Sequence, residues 1–419
     1  MRRLRHLLAA ALALAASACA SLPIAPRGPL DAEASYTALY PYYLEFCALS
    51  EIQKIPGYGA DIRGGVGGHS TVYLNGACLA GSGYPELRVC DGANPGADGV
   101  GLSVNAHFAN ANWAAIPGRD FFYHGDLKPG QPLTHAAYDA TKAHARRLGL
   151  YDAIRFHDVV FADMPPGYAP DPQGRDAFKY EVSIGTDYAI GYGRDRYCAR
   201  VPVDAAEMGR IAGYLNGLNR PYRDGVATYV WSVLTDNCIH LAHNALAAIG
   251  FWPEWPTHQF FLFAAFDFPV PKNEFVNILR RANDMPLDPM AAWRDRTTRR
   301  AVLAGDGPPT RPGALAVLEP ATQANALYNV NDLQLIFYDE RMFGPYEGWY
   351  RRILAEPRYS DIAANRRYFA ALYAHAEAER RPLDWWRENH PRVAAEPDFP
   401  AFHARYYDGI ARRAAQVRG

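Results

Sequence analysis

The stretch Asp236-Asn237-Cys238-Ile239-His240-Leu241-Ala242-His243 constrains this chain more than any other. Before it, Tyr229-Val230-Trp231-Ser232-Val233-Leu234 is β-branched and aromatic. After it, Leu241, Ala242, Ala245, Leu246 and Ile249 recur at helical spacing until Gly250 ends the pattern. Asp236 or Asn237 supplies an N-cap, so Cys238 falls in the first turn of a helix. Unpaired backbone N–H groups and the helix dipole favour an anion there, which predicts a lowered thiol pKa and a nucleophilic cysteine. The alternative is a buried structural cysteine, since free cysteine is among the most buried residue types.

A second feature lies far upstream. His69 follows the glycine-rich run Gly64-Gly65-Val66-Gly67-Gly68 and opens Ser70-Thr71-Val72-Tyr73-Leu74, which closes on the turn signal Asn75-Gly76. Glycines beside an imidazole let a ligand approach it closely. Taken alone, the same pattern fits a strand-end histidine bonded to a backbone carbonyl.

Together the two segments resemble a known arrangement. A histidine opening a strand as His-x-x-x-Tyr, followed much later by Asn-Cys-x-His at a helix start, resembles the circularly permuted branch of the NlpC/P60 papain-like superfamily. That branch includes the lecithin:retinol acyltransferase-like enzymes. His69-Ser70-Thr71-Val72-Tyr73-Leu74 matches the histidine strand, and Asn237-Cys238-Ile239-His240 matches the cysteine motif, with Ile239 where a polar residue is common. The upstream Gly-His strand and the tyrosine-rich lead into Asn-Cys are also similar to the periplasmic domain of Lnb-type lipoprotein N-acyltransferases. The similarity spans roughly residues 60–255.

The resemblance implies an α+β fold whose permuted papain-like (NlpC/P60-type) core packs an antiparallel sheet on the cysteine helix. It makes Cys238 the nucleophile and His69 the general base. A third polar group usually orients such an imidazole. Glu86, in the next strand-like run, is the expected one, with Asp91 in reserve, because a carboxylate holds the ring N–H and stabilises the imidazolium. Oxyanion donors are expected from the Cys238 N–H and from the hydroxyl of Tyr229 or Tyr222. Tyr229, Asn237 and Trp113 form the expected substrate-binding set, with Asn105 and Asn112 on the same groove wall.

The N-terminus reads as a targeting segment. Met1-Arg2-Arg3-Leu4-Arg5-His6 is charged, and Leu7 to Ala16 is apolar but too short to span a bilayer. Ala16-Ser17-Ala18-Cys19 resembles a bacterial lipobox, with Ala16 replacing the usual leucine. The expectation is a signal peptide over 1–18, lipidation at Cys19, a tether over 19–35 and a periplasmic protein held by lipid, with the outer membrane favoured. Ordinary secretory cleavage is the alternative. Export sets Cys47, Cys78, Cys90 and Cys198 in an oxidising compartment, an even number that leaves Cys238 free. Cys78 and Cys90 flank the turn after the histidine strand and would clip it, although three pairings remain open.

The rest of the chain supplies a body for this site. It has 419 residues, 49% of them hydrophobic, enough for two domains or one elaborated one. The net charge of −1 gives no basic footprint for nucleic acid. Helices are predicted over 36–54, 134–149, 203–219 (capped by Asp204 with Glu207) and 272–283. Strands are predicted over 101–105, 121–125 and 156–163, with a strand pair over 178–192. Residues 251–268 are dense in aromatics, as a core segment or as an apolar groove for acyl chains. Residues 286–320 read as a loose connection, followed by helices. The division expected is a catalytic domain over 36–290 and a helical region over 291–419.

Metal is not expected. Cys238, His240 and His243 spread around a helix rather than sharing a face, and His-Glu-x-x-His is absent. No phosphate loop and no Gly-x-Ser-x-Gly elbow occurs, so no cofactor is expected and a serine hydrolase lacks its nucleophile. The function expected is exported, cysteine-dependent acyl transfer or hydrolysis on a membrane lipid or lipoprotein. The alternatives are a peptidoglycan peptide hydrolase and a non-catalytic lipoprotein scaffold.

Overall fold

The computed structural model describes residues 31–61, 68–81, 83–92, 98–162, 164–232, 235–255, 270–308, 310–321, 324–329 and 346–418. The expected signal peptide, Cys19, most of the expected tether and Phe260 to Phe268 lie outside these residues.

Helix α1 (Asp31–Leu39) is followed by strands β1 (Tyr43–Leu49), β2 (His69–Asn75), β3 (Ala77–Leu79), β4 (Leu87–Val89), β5 (Gly99–Ser103) and β6 (Ala114–Pro117). Helices α2 (Arg119–His124), α3 (His135–Arg147) and α4 (Pro172–Ser183) precede β7 (Arg196–Pro202), α5 (Ala205–Arg223), α6 (Cys238–Ala247) and α7 (Pro271–Asp284). Helices α8 (Pro289–Arg294) and α9 (Arg296–Ala304), strand β8 (Leu315–Glu319) and helices α10 (Tyr346–Ala355), α11 (Ile362–Ala378), α12 (Leu383–Asn389), α13 (Pro391–Ala394) and α14 (Phe399–Arg418) complete the order.

The fold is α+β. Six strands form one sheet in the order β6-β5-β2-β1-β7-β8, antiparallel at every pairing. Strand β1 lies inside it with all seven residues buried. Helices α6 and α7 pack on one face, α6 against β2 and α7 against β1 and β7. Tyr73, Phe122 and Tyr123 cluster on the other face. Disulfide Cys47–Cys198 joins β1 to β7 at directly paired positions, Cys78–Cys90 staples the β3–β4 hairpin, and Cys238 is free.

Several local expectations fail. The helix predicted over 36–54 is α1 followed, beyond Pro41, by β1. A strand covered on both faces is apolar at nearly every position, so it satisfies a helical period as readily as a strand period. The strand pair expected over 178–192 is the end of α4 and a turn, and α4 is capped by the Asp171 side chain accepting from Gly174 N. Residues 121–125 belong to α2, and a 3-10 turn at Asp158–Phe161 replaces the strand expected over 156–163. The 203–219 helix is present, and both halves of its Asp204–Glu207 capping box form.

The C-terminal helices build a second core around Trp293, Phe369, Tyr373, Trp386, Phe399 and Phe402. The stretch expected as a loose connection contains α8, α9 and β8, and β8 returns to the sheet beside β7. The chain is thus not cut cleanly at 290/291. Among the described residues no helix is long and apolar enough to cross a membrane.

Candidate functional site: a free thiol at the start of a capped helix

Helix α6 starts at Cys238 because Asn237 caps it. The Asn237 side chain accepts from Ile239 N at 3.0 Å and His240 N at 3.3 Å. Ile239, Leu241, Ala242, Ala245 and Leu246 are buried, which drives this face onto the sheet. The entry is fixed from the other side too. Ser232 and Asp236 exchange backbone hydrogen bonds, and the Tyr229 hydroxyl donates to the Asp236 carbonyl at 3.0 Å.

The half-buried Cys238 sulfur faces the Ser70 hydroxyl and the backbone N–H groups of Ser70, Ile239 and Cys238 itself. This is a cradle for negative charge. Burial pushes the Cys238 thiol up, and these donors lower it without cancelling that effect. The lowered pKa expected from the helix N-terminus is therefore not found. Desolvation outweighs the dipole, and the resting sulfur is a protonated thiol at neutral pH.

His69 opens β2, one residue before Ser70. Its ring bonds the Thr186 carbonyl, and its Nε2 is buried without a hydrogen-bond partner. A carbonyl only accepts, so Nδ1–H is the donor and Nε2 carries the free lone pair. Burial, reinforced by the Arg194 guanidinium, takes the His69 pKa down to about 3. The imidazole is thus neutral, and its tautomer is the one a general base requires. It makes no hydrogen bond to Cys238, and the neighbouring Ser70 is the residue that faces the sulfur.

Arg194 is 2% exposed. Its Nε donates to the Ile190 carbonyl at 3.2 Å and its Nη2 to the Gly185 carbonyl. No carboxylate pairs with it among the described residues. Gly185 is left-handed (φ 77), and a Cβ there would meet Ile52 Cδ1 at 2.8 Å and Tyr328 Oη at 3.2 Å. The turn is tight enough to put consecutive carbonyls, 185 and 186, on Arg194 and His69.

The other expected site residues divide. Tyr229 is buried and within electrostatic reach of Cys238, but its hydroxyl is committed to the Asp236 carbonyl. Asn237 acts as the cap. Glu86 does not reach His69: it pairs with Arg223 at 3.4 Å on the surface, and the Thr186 carbonyl holds the imidazole instead. Trp113 is fully buried, with its indole N–H on the Leu215 carbonyl at 2.8 Å, so it packs in the core rather than on a groove wall. Asn105 donates to the buried Asp187 at 3.0 Å. The Asn112 N–H donates to Asn219 at 2.8 Å. His243 holds Glu274 at 2.7 Å and the Pro253 carbonyl at 3.0 Å and stacks on Trp252, so its two ring nitrogens are occupied by the scaffold.

Sequence reasoning missed Ser70, Thr186 and Arg194. Ser70 carried a signal, standing directly after His69 in the motif. Thr186 acts through its carbonyl and Arg194 through a turn, so neither has a spacing to read.

Comparison with known proteins found no match: no family model, no curated protein and no solved structure is similar to the chain.

Proposed function

We propose that this protein is a thiol-dependent acyltransferase or acyl hydrolase acting on lipid or lipoprotein, with Cys238 as nucleophile and His69 as general base. We further propose that it is a divergent member of the circularly permuted NlpC/P60 papain-like superfamily, lipid-anchored through Cys19 at the periplasmic face of a bacterial membrane. One observation carries the reading. The free thiol lies in a cradle of backbone N–H groups and the Ser70 hydroxyl, and Arg194, which acts on Cys238, also acts on an imidazole whose Nδ1–H is fixed and whose Nε2 lone pair is unused. In the reaction, His69 Nε2 takes the thiol proton and the sulfur attacks an ester or amide carbonyl carbon. The carbonyl π pair moves to oxygen. Collapse expels the alcohol or amine, which takes the proton back from His69, and leaves a thioester on Cys238. Water or an amine then accepts the acyl group. The pair starts as neutral thiol and neutral imidazole, so proton transfer accompanies attack. Apo hydrogen bonds in such sites commonly form only with substrate bound.

Lipid is favoured over peptide by the loop that leads into the thiol helix. Val226, Val230 and Trp231 are 82%, 67% and 40% exposed on the loop that enters α6. Val159 is exposed on a neighbouring segment tied to that loop by His157 Nε2 donating to the Tyr229 carbonyl at 2.9 Å. An apolar rim of this kind inserts into a bilayer interface.

The test incubates the folded chain with phospholipid vesicles, a diacyl lipopeptide or muropeptides, then weighs the Cys238 peptide. A hydroxylamine-labile gain of one acyl chain, absent in Cys238→Ala, is expected with the lipid substrates. A peptidyl adduct would move the assignment to a cell-wall hydrolase, and no adduct from any substrate would sink the enzyme reading in favour of the scaffold. Replacing Val226, Val230 and Trp231 with serine is expected to slow acylation from vesicles about tenfold, since each removes part of an apolar transfer energy. Acylation by a soluble short-chain thioester should not change, and equal slowing on both would remove the rim from the argument.

A further inference from the structure

We propose that Arg194 is the fixed positive charge that compensates the Cys238 thiolate, a positioning residue for the reaction proposed above. The inference rests on that reading of the site and adds to it a group no sequence motif marks.

A guanidinium loses much solvation on burial and is retained inside proteins chiefly against an anion. Arg194 is almost wholly buried, and among the described residues its side chain bonds two main-chain carbonyls, those of Ile190 and Gly185. The groups within its electrostatic reach are Tyr328, Cys238 and His69. Tyr328 is a neutral phenol, its pKa raised beyond the physiological range by burial. His69 is a neutral base. Of the three, the thiol alone becomes an anion during the reaction. The chain of contacts is short: Arg194 holds the Gly185 carbonyl, the next carbonyl holds His69, and the residue after His69 lies on the sulfur.

One charge then performs two tasks. It disfavours a proton on His69, keeping Nε2 available, and it favours loss of the proton from Cys238. The remaining groups facing the sulfur are the Ser70 hydroxyl and the Tyr229 phenol. The nearby Asp236 acts on Tyr229 and Tyr222.

The experiment is the rate of Cys238 alkylation by iodoacetamide from pH 6 to pH 11, read by peptide mass spectrometry, in the full chain and in Arg194→Gln and Arg194→Lys. The glutamine variant is expected to move the inflection up by about one to two pH units, a loss of about 10- to 100-fold in rate at any pH below both inflections. Lysine should restore most of the lost rate. An unmoved inflection in a folded glutamine variant would overturn the proposal and leave Arg194 as a brace for the 185–190 turn. A second measurement needs no variant. A cation beside the sulfur attracts anionic iodoacetate, so the iodoacetate-to-iodoacetamide rate ratio, corrected for thiolate fraction, should be several-fold higher in the folded protein than in the chain unfolded in guanidinium. An equal or lower ratio also overturns the proposal. Neither measurement uses a substrate. Arg194 can therefore fail while acyl transfer stands, and absence of any acyl adduct sinks the enzyme reading without altering the thiol titration.

Discussion

His69→Ala is expected to lower the rate of Cys238 acylation by about 10²- to 10⁴-fold, the range a positioned general base contributes. The size follows from the starting state. Burial raises the thiol pKa, so little thiolate exists at neutral pH and the proton must be removed during attack. The structure leaves one buried imidazole lone pair beside the residue that touches the sulfur, and its tautomer is set by the Thr186 carbonyl. The His69 pKa near 3 also fixes the pH profile. The base is not lost by protonation and the thiol keeps its proton across this range, so the reactive neutral pair is fully populated and the rate should be flat from about pH 5 to pH 8. Attack by a thiolate formed in a prior equilibrium, without His69, would instead climb about tenfold per pH unit toward the raised thiol pKa. Single-turnover acylation measured from pH 5 to pH 9 distinguishes the two. A folded alanine variant that loses less than about threefold would remove His69 from the mechanism, and the Ser70 hydroxyl would become the group to test.

The chemistry of the site was easier to read than its surroundings. Cys238, its Asn237 cap and the His69 strand were legible because each leaves a local mark: a cap before a periodic run, or a glycine run before a β-branched one. The capping box of α5 was legible for the same reason. Residues that work through the main chain were not. Thr186 contributes a carbonyl, and any residue at that position would contribute the same one. Arg194 contributes from a turn whose geometry depends on Gly185 and on Tyr328, more than a hundred positions later. Glu86 was chosen for its chemistry and its place in the next strand-like run, but that run forms the separate β3–β4 hairpin rather than a strand of the main sheet. Strand β1 was obscured by burial on both faces, which erases alternation. The thiol pKa went the other way from expectation because a sequence displays the helix N-terminus but not the depth at which it is buried.

Glu181→Ala is expected to destabilise the fold by about 3–5 kcal/mol, the cost of removing one partner from a buried ion pair. Glu181, on α4, has a fully buried side chain and accepts from Lys54 at 2.8 Å, Lys142 at 2.5 Å, Tyr138 at 2.8 Å and Tyr168 at 3.0 Å. Lys54 is equally buried and also donates to the Ala60 carbonyl at 2.7 Å, while Ala60 N donates to Glu181 at 3.0 Å. Gly59 sits so close that a Cβ would lie 2.1 Å from Glu181 Oε1. This carboxylate therefore ties α3 and α4 to the segment between β1 and the histidine strand, and its loss strands the Lys54 ammonium in the interior. Burial alone would raise its pKa. The two lysines outweigh that and take it down to about 2, against 4.5 for an ordinary glutamate. The unfolded chain thus binds the proton first as pH falls. The stabilisation is fully present above about pH 4.5 and is lost as pH falls through about 2. Each pH unit between those two values is worth about 1.4 kcal/mol, or about 3 kcal/mol in all. His69 acts in the same direction over a higher window, because a group held neutral in the fold takes up its proton on unfolding between about pH 6.5 and 3. Urea denaturation at pH 7, about pH 4.5 and about pH 2.5 measures them, the first interval reporting His69 and the second adding Glu181. Glu181→Ala should lower the midpoint at pH 7 without changing the slope, and a loss below about 1 kcal/mol would show that Lys54 finds water or another acceptor. Pairing Glu181→Leu with Lys54→Met should recover most of the loss, because removing both charges together also removes the desolvation penalty that each one alone leaves behind.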